Sequence, residues 1–270
     1  MFCFIFFVKF VTFPLYKAYK ISYNKITKTT KGGIALRNEK KIVLSREQYL
    51  ILSARIRGIL PADPHMPDPS GYFIASLYFD DLHDSAYYEK LSGSANRKKY
   101  RIRFYGGDTS RIRLECKEKI ADRIDKRSAP ISAETYFGLL QGNIAPLAAE
   151  EHPLAREFYL LNTSRAMRPR VAVTYRREAY IHPLSNTRIT FDKELRAGWT
   201  HEAMCHQFSD SIPIFPTDEF PYPGGVILEI KYDEYIATYI TDALHTGNNP
   251  LAASKYVLCR DGLQRIGKVF

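Results

Sequence analysis

Residues 100–119, YRIRFYGGDTSRIRLECKEK, contain two runs in which apolar and polar side chains alternate. The alternation extends to Phe104, is interrupted by a Gly-Gly-Asp turn, and resumes at Ile112. A period of two is typical of a β-strand, and a short glycine-rich turn between two such runs predicts a hairpin. One face of this hairpin is apolar and the other carries arginine, lysine and glutamate. In an antiparallel sheet such a charged face usually meets water, so the other strands must decide where it points.

The same alternation recurs in each predicted strand. The polar positions are Glu39 and Lys41; Ser76, Tyr78 and Asp80; Arg101 and Arg103; Arg113, Glu115 and Lys117; Tyr175 and Arg177; Arg188, Thr190 and Asp192; Glu229 and Lys231. Several amphipathic helices need an apolar surface to pack on, and the opposite strand faces supply it. The sequence therefore predicts an α+β fold in which about eight strands close into an antiparallel β-barrel. Amphipathic helices pack outside, and the charged faces line a tunnel. An open sheet with a solvated charged face is the alternative.

Local signals place the remaining elements. Ser45 and Gln48 form a capping-box pattern that predicts the start of a helix, and Pro61 marks its end. The predicted helices span residues 45–60, 132–142, 151–161 and 234–246, with a short terminal helix. The predicted strands span residues 72–80, 171–180, 187–193 and 226–233, in addition to the hairpin. Residues 198–224 are predicted to form a long loop.

The charge is unevenly distributed along the chain. The net charge is +10, and residues 1–35 contain six lysines and no acidic residue, which leaves +4 for residues 36–270. A nucleic-acid-binding surface is therefore not predicted, because it needs a strongly basic domain. Residues 1–35 lack the cleavage site of a secretory signal. Their apolar run, which Lys9 interrupts, is too short to span a bilayer as a helix. We predict that they lie outside the domain, as an over-extended start of a bacterial gene or a weak membrane-surface segment.

Arginine dominates the polar strand positions, and its planar group suits bidentate phosphate binding. Glutamates beside a phosphate site favour Mg²⁺ or Mn²⁺ bridging protein and phosphoryl oxygens. The pattern thus indicates phosphoryl transfer, which depends on positioning and charge neutralisation. No Walker loop, kinase glycine loop or paired metal-binding cysteines compete with this interpretation. The four separated cysteines indicate buried thiols in a reducing compartment.

Residues 37–260 resemble the VTC domain, the polyphosphate polymerase domain of the CYTH or triphosphate-tunnel superfamily. The matching motifs are RNEKKIVLS, SLYFDD, KYRIRFYGGDTSRIRLECKEK, VTYRREAY, RITFD, VILEIKYDE and SKYVLCR, in this order. The resemblance divides the chain into an extension, residues 1–35, and a tunnel domain, residues 36–270.

The resemblance also implies roles for particular residues. Those implied to act on the transferring phosphate are Arg101, Arg103, Arg177, Arg188 and Lys255. Those implied to bind substrate are Lys41, Lys117, Lys126, Tyr175 and Ser254. The implied metal ligands are Glu229, Glu39 and Glu115, for Mn²⁺ or Mg²⁺. Lys255 is expected at the start of the terminal helix, where a phosphate can also meet the helix N-terminus.

The implied activity is transfer of the ATP γ-phosphate to a growing polyphosphate chain. The first strand contains one glutamate before Lys40 and Lys41, where triphosphatase relatives usually have two, and this favours the polymerase branch. An inorganic triphosphatase on the same fold and a non-catalytic module that binds polyphosphate or inositol phosphate are the alternatives. The expected partners are ATP and polyphosphate, with no nucleic acid. A cytoplasmic location is expected, with a separate membrane partner as an option.

Overall fold

The computed structural model describes residues 38–106, 108, 110–121, 123–198, 204, 211–214, 224–245 and 253–267. Within these residues, nine strands form one antiparallel sheet. They are β1 Asn38–Leu44, β2 Tyr72–Asp80, β3 Arg97–Tyr105, β4 Arg113–Ile120, β5 Arg123–Pro130, β6 Arg168–Ile181, β7 Arg188–Gly198, β8 Ser211–Pro213 and β9 Val226–Tyr232. The described helices are α1 Arg46–Ile59, α2 Ser85–Leu91, α3 Ala133–Leu140, α4 Ala145–Ala148, α5 Pro153–Arg165, α6 Thr238–Ala243 and α7 Lys255–Arg265.

The sheet is curled but open, so the prediction of a closed barrel is wrong. Its strand order is β1-β9-β7-β6-β2-β3-β4-β5, with β8 beside β7, and in the described part of the chain β1 and β5 do not pair. The curl nevertheless brings β4 towards β1, where Lys117 Nζ lies 3.2 Å from Glu39 Oε2. Alternation predicts which face a side chain takes, but closure depends on whether the two edge strands reach hydrogen-bonding distance. Here long side chains, rather than backbone groups, meet across the opening.

The convex face of the sheet carries most of the apolar core, as the alternation predicts. Near β3 and β4, Ile102, Phe104 and Leu114 pack against Tyr136 of α3 and Phe158 of α5. A second cluster joins β1, β7 and β9 to α1 and α6; it includes Leu44, Phe191, Leu228, Ile56 and Ile240. These helices cover the apolar strand faces, which leaves the charged faces on the concave side.

Helix α7 departs from the prediction that helices pack only outside. Its Tyr256, Val257 and Leu263 form a cluster with Val171 and Val173 of β6. These two valines lie on the same face of β6 as Arg177, because the three positions differ by even numbers, two and four. One part of the concave face is therefore apolar and buried by α7. The other part is polar and begins at Lys255, the first residue of α7.

A bulge in β7 separates the apolar part from the polar part. The pairing register of β6 with β7 shifts by one residue between Thr174 and Arg176 of β6. Glu194, the β7 residue at this point, has a positive φ of 55°. An extra residue at a bulge reverses the alternation beyond it. Asp192 and Leu195 therefore both belong to the concave side, although they are an odd number of positions, three, apart in the sequence.

Several bounds differ from the prediction. The capping box at Ser45 is present, and Ser132 caps α3 as expected. Helix α6 is shorter than predicted, because Tyr235 and Ile236 precede it and Ile236 reaches the core from outside the helix. The predicted loop of residues 198–224 contains β8, and most of it lies outside the described residues. The alternation gave no prediction of α2 or β5. The prediction for residues 1–35 falls outside the described residues.

The two cysteines that the structure describes, Cys116 and Cys259, are free thiols and fully buried. This agrees with their interpretation as small core residues.

Candidate active site

A buried group of charges lies at the centre of the concave face. Arg177 of β6 donates two hydrogen bonds to Asp192 of β7, from Nε at 2.6 Å and from Nη2 at 2.7 Å. Lys255, the first residue of α7, places Nζ 2.5 Å from the same carboxylate. The Tyr175 ring lies beneath both cations, with its centroid 5.3 Å from the Arg177 guanidinium carbon and 5.0 Å from Lys255 Nζ. Asp192 therefore orients two of the predicted phosphate-binding residues.

Asp192 and the cations beside it stabilise one another in their charged forms. Burial, the largest influence, raises the pKa of Asp192, but Arg177 and Lys255 outweigh it and the pKa lies below its usual range. Burial likewise lowers the pKa of Lys255, while Asp192, Tyr175 and Glu229 raise it to a net value above the ordinary one. Both groups are thus charged at neutral pH.

Two carboxylates meet beside this centre. Glu229 of β9 is buried, and its carboxyl group lies within hydrogen-bonding reach of that of Glu39 on β1. Burial favours a raised pKa for Glu229, but the approach of the Glu39 carboxyl group and the charges of Lys231, Lys41 and Lys255 outweigh it and hold the pKa well below its usual range. Lys231 Nζ lies 2.7 Å from Glu229, and Lys41 Nζ lies 2.8 Å from Glu39.

The two arginines of β3 form a further part of the site. Arg101 contacts Glu115 of β4 through Nε at 2.8 Å and Nη2 at 2.6 Å, and Arg103 Nε donates to Ser76 at 3.0 Å. Lys126 of β5 reaches the other Glu115 oxygen at 2.8 Å. Burial raises the pKa of Glu115, but Arg101, Arg103 and Lys126 lower it to about 2. Glu115 is therefore paired with cations of β3 and β5, whereas Glu39 and Glu229 are paired with Lys41, Lys117 and Lys231.

Three predicted residues occupy the margins of the face. Arg188 of β7 pairs with Asp63 at 3.0 Å and donates to the Tyr72 hydroxyl at 3.2 Å. Lys117 contacts Glu39 and is 43% exposed at its side chain. Ser254, the N-cap residue of α7, accepts a hydrogen bond from Lys99 Nζ at 3.1 Å.

The predicted site residues all lie on the concave face or at the N-terminus of α7, and basic side chains outnumber acidic ones there. The prediction missed several neighbours, of which Asp192, Lys231 and Lys99 matter most. Asp192 and Lys231 stand at polar positions of the alternation, so the pattern contained a signal for them. Asp63 lies in a proline-rich loop, and no pattern pointed to it.

The donor set fits a divalent cation only in part. Among the described residues, no group of three or more His, Cys, Asp or Glu side chains is placed to hold a metal ion. Glu39 and Glu229 provide two adjacent carboxylates, and Mg²⁺ is commonly held by one or two carboxylates together with substrate phosphates and waters. The residues present therefore fit a cation shared with a phosphate. Glu115 adds no third ligand in this arrangement.

The family model of the VTC domain matches residues 36–263. This chain belongs to the VTC family. The match spans the curled sheet and extends into α7, so it includes each of the predicted site residues. No curated protein matches the VTC chain by sequence.

Solved structures with a similar backbone path have low sequence identity to the VTC chain. A candidate adenylyl cyclase from Hippeastrum, with a dominant triphosphatase activity, is 13% identical; the alignment covers 83% of the VTC chain and 95% of the other, with a TM-score of 0.46. A candidate adenylate cyclase from Bacillus halodurans is 10% identical, with coverages of 86% and 92% and a TM-score of 0.43. Both scores are below 0.5, so neither similarity carries a conclusion about this chain's activity.

In the described part of the chain, no helix has the length and apolar character needed to cross a membrane.

Proposed function

We propose that this VTC chain is a polyphosphate polymerase that transfers the γ-phosphoryl group of ATP to a growing polyphosphate chain. The observation that carries this proposal is the concentration of basic side chains along one concave face. Seven strands and the start of α7 contribute to it; the cations are Lys41, Arg101, Arg103, Lys117, Lys126, Arg177, Arg188, Lys231 and Lys255. A linear polyanion is the ligand that such a row of cations suits.

The side chains divide between orientation and charge neutralisation. Arg177 and Lys255 are held rigidly by Asp192, and Arg101 and Arg103 are held through β4 and β2. Preorganised cations stabilise the charge that develops on a transferring phosphoryl group without reorganising during the step. We propose that these four residues and Arg188 act on the transferring group. Lys41, Lys117, Lys126, Tyr175 and Ser254 would bind the rest of the substrate.

The proposed step balances without further reactants. A terminal oxygen of the acceptor polyphosphate attacks the γ-phosphorus and forms a new P–O bond. The bond from the γ-phosphorus to the bridging oxygen breaks, and that oxygen leaves with the electron pair as part of ADP. Glu229 and Glu39 would hold Mn²⁺ or Mg²⁺, which neutralises charge on the phosphoryl oxygens when it is bound. We extend the proposal to a cytoplasmic location, where ATP is supplied.

Hydrolysis is the second candidate, and the contact between Glu39 and Glu229 is the observation that favours it. Paired carboxylates can hold a cation that activates water, as in a triphosphatase. The buried, cation-filled centre around Arg177 favours transfer to phosphate, since an acceptor bound there displaces water from the γ-phosphorus.

The products formed from ATP distinguish these activities. The full chain is incubated with ATP, a short polyphosphate primer and Mn²⁺ or Mg²⁺, and the products are separated on a gel stained for polyphosphate. We expect a ladder that lengthens with time and is lost in Arg101→Ala and Glu229→Ala. Lys40→Ala is the matched control, because Lys40 lies on β1 beside Lys41 but on the other face of the strand, where it is exposed and its Nζ lies 5.8 Å from the centroid of the Tyr232 ring.

Each other outcome overturns the polymerase proposal. Free phosphate from tripolyphosphate without a ladder would assign the chain to the hydrolases. Tight binding of polyphosphate without either product would leave a binding module.

A further inference from the structure

Four basic residues form a block on the concave face, beyond the centre at Asp192. Arg97 of β3 lies directly opposite Lys119 of β4, and Lys99 lies directly opposite Lys117. Like charges in directly opposite positions destabilise a sheet. The next pair on the same face, Arg101 and Glu115, has opposite charges. The repulsion in the block is therefore a local feature of these two strands.

Few acidic groups neutralise the positive charge of the block. Among the residues that the structure describes, only Lys117 of the four has a carboxylate partner, Glu39, which Lys41 also contacts. Arg97 donates to the backbone oxygen of Ser94 at 2.5 Å. Lys99 donates to the Ser254 hydroxyl, and its Nζ lies 5.2 Å from the centroid of the Tyr256 ring.

Helix α2 adds a fifth cation to the block. Lys90 of α2 is the strongest charge acting on Lys99, followed by Arg97, Lys117 and Lys41. Burial first, and then these charges, lower the pKa of Lys99 to about 7. Burial and four neighbouring cations, Arg97, Lys41, Lys119 and Lys117, lower the pKa of Lys90 as well. The fold thus holds together cations that repel one another.

The block continues a row of cations into the proposed active site. One face of β3 carries the side chains of Arg97, Lys99, Arg101 and Arg103, and the six steps along the strand from the first to the last span roughly 20 Å. Lys117 contacts Glu39 across the concave face. This contact narrows the space in which a ligand could lie against the row of cations. A thin, unbranched polyanion fits such a row, whereas a compact anion would contact only part of it.

We propose that Lys90, Arg97, Lys99, Lys117 and Lys119 form a subsite that binds the distal part of a polyphosphate chain, away from the transferring phosphoryl group. This inference rests on the proposed function for its substrate class. The bound chain supplies the negative charge that the block lacks, so the enzyme holds long chains more tightly than short ones.

The test compares affinities for two chain lengths. Binding of tripolyphosphate and of a long polyphosphate is measured by calorimetry with the full chain and with Lys99→Gln/Lys119→Gln. We expect the wild-type protein to prefer the long chain and the variant to lose about tenfold or more of that preference. The salt dependence of long-chain binding should also weaken, by about one unit of slope per phosphate contact removed.

The control removes two positive charges elsewhere. Lys40→Gln/Arg55→Gln changes two exposed side chains on β1 and α1, outside the concave face. It should keep the wild-type ratio of the two affinities, because the net charge alone does not create the subsite. Lys90→Gln on α2 is a second test variant, and it should lower the ratio without any change in β3 or β4.

The possible results separate this inference from the proposed function. If both block variants retain the wild-type preference for long chains, the subsite is wrong even when the protein makes polyphosphate from ATP. If they lose the preference while the wild-type protein makes no polyphosphate, the subsite stands and the polymerase proposal fails. A wild-type protein that shows no preference for long chains would refute the subsite outright.

Discussion

Arg177 and Asp192 lie directly opposite each other on β6 and β7 and are joined by two hydrogen bonds. The Asp192 side chain has no exposed surface, and Lys255 shares it from α7. Asp192 therefore cannot contact substrate freely, and its effect is to fix two cations at the junction of the sheet and the helix. The centre of the site is thereby assembled before any phosphate binds.

Asp192→Asn should destabilise the protein strongly. Removing one partner of a buried ion pair leaves uncompensated charge, so we expect the free energy of unfolding to fall by about 3–5 kcal/mol in urea denaturation. Tripolyphosphate should restore more stability to this variant than to the wild-type protein, since it supplies the missing negative charge. Asp125→Asn is the control; its carboxylate is 65% exposed and pairs with Arg127, so about 0.5 kcal/mol or less is expected. Equal effects of the two variants would contradict the role of Asp192.

Glu229 and Glu115 should respond differently to metal. Glu229→Gln and Glu39→Gln remove a carboxylate from the pair proposed to hold the cation, so the Mn²⁺ concentration for half-maximal activity should rise by about tenfold or more. Glu115→Gln should leave that concentration unchanged and alter the KM for ATP, because Glu115 neutralises Arg101 and Lys126. A manganese titration of each variant measures this. If Glu115→Gln shifts the Mn²⁺ requirement as much as Glu229→Gln, the three carboxylates act together and the hydrolase assignment gains support.

Lys99 should make the stability of the free protein depend on pH. Its folded pKa of about 7 lies below the ordinary value of 10.5, so between these values the unfolded chain binds more protons than the folded one. Stability then rises with pH over this window, and the penalty for a charged Lys99 is fully present below pH 7. The unfolding free energy of wild type relative to Lys99→Gln should therefore increase from pH 7 to pH 10.

Bound polyphosphate should reduce that pH dependence, because a phosphate beside Lys99 favours its charged form. Chemical denaturation at several pH values, with and without polyphosphate, checks both statements. A flat difference between wild type and Lys99→Gln in the absence of ligand would show that Lys99 is charged in the folded protein at all of these pH values.

The alternation predicted the faces of the strands more reliably than the shape of the sheet. Arg101 and Ile102 take opposite faces, as a period of two requires, and this was enough to place the site residues on one side. Closure could not be predicted, because it depends on the distance between β1 and β5, which are far apart in sequence. The bulge at Glu194 was also hidden, since a residue with positive φ that is not glycine leaves no clear signal in a single sequence.

The pairing of the charges was less predictable than their positions. The family resemblance grouped Glu39, Glu115 and Glu229 as metal ligands, whereas the register places Glu115 opposite Arg101, with which it forms an ion pair. Which cation reaches which carboxylate depends on strand register, and a shift of one residue changes every partner. Lys99 was missed for the same reason: its importance comes from Lys117 opposite and from Lys90 on a helix that the pattern did not predict.

Gly71 should be essential for the position of Arg177. Gly71 has a φ of +88°, and a Cβ atom there would lie 2.2 Å from the backbone oxygen of Arg177. Neither the backbone angle nor the contact tolerates a side chain, so Gly71→Ala must displace β2 or β6 and should cost about 3 kcal/mol or more. Gly58→Ala is the control, because a Cβ at this position in α1 meets nothing within 4 Å and should stabilise the helix by about 0.5–1 kcal/mol.

Urea denaturation of both variants measures the stability change, and tripolyphosphate binding measures the effect on the site. We expect Gly71→Ala to weaken binding through the displaced Arg177, and Gly58→Ala to leave it unchanged. If Gly71→Ala lowers stability but binds tripolyphosphate like the wild-type protein, the movement is absorbed by β2 and the loop before it. Arg177 would then be held by Asp192 and Tyr175 independently of this close approach.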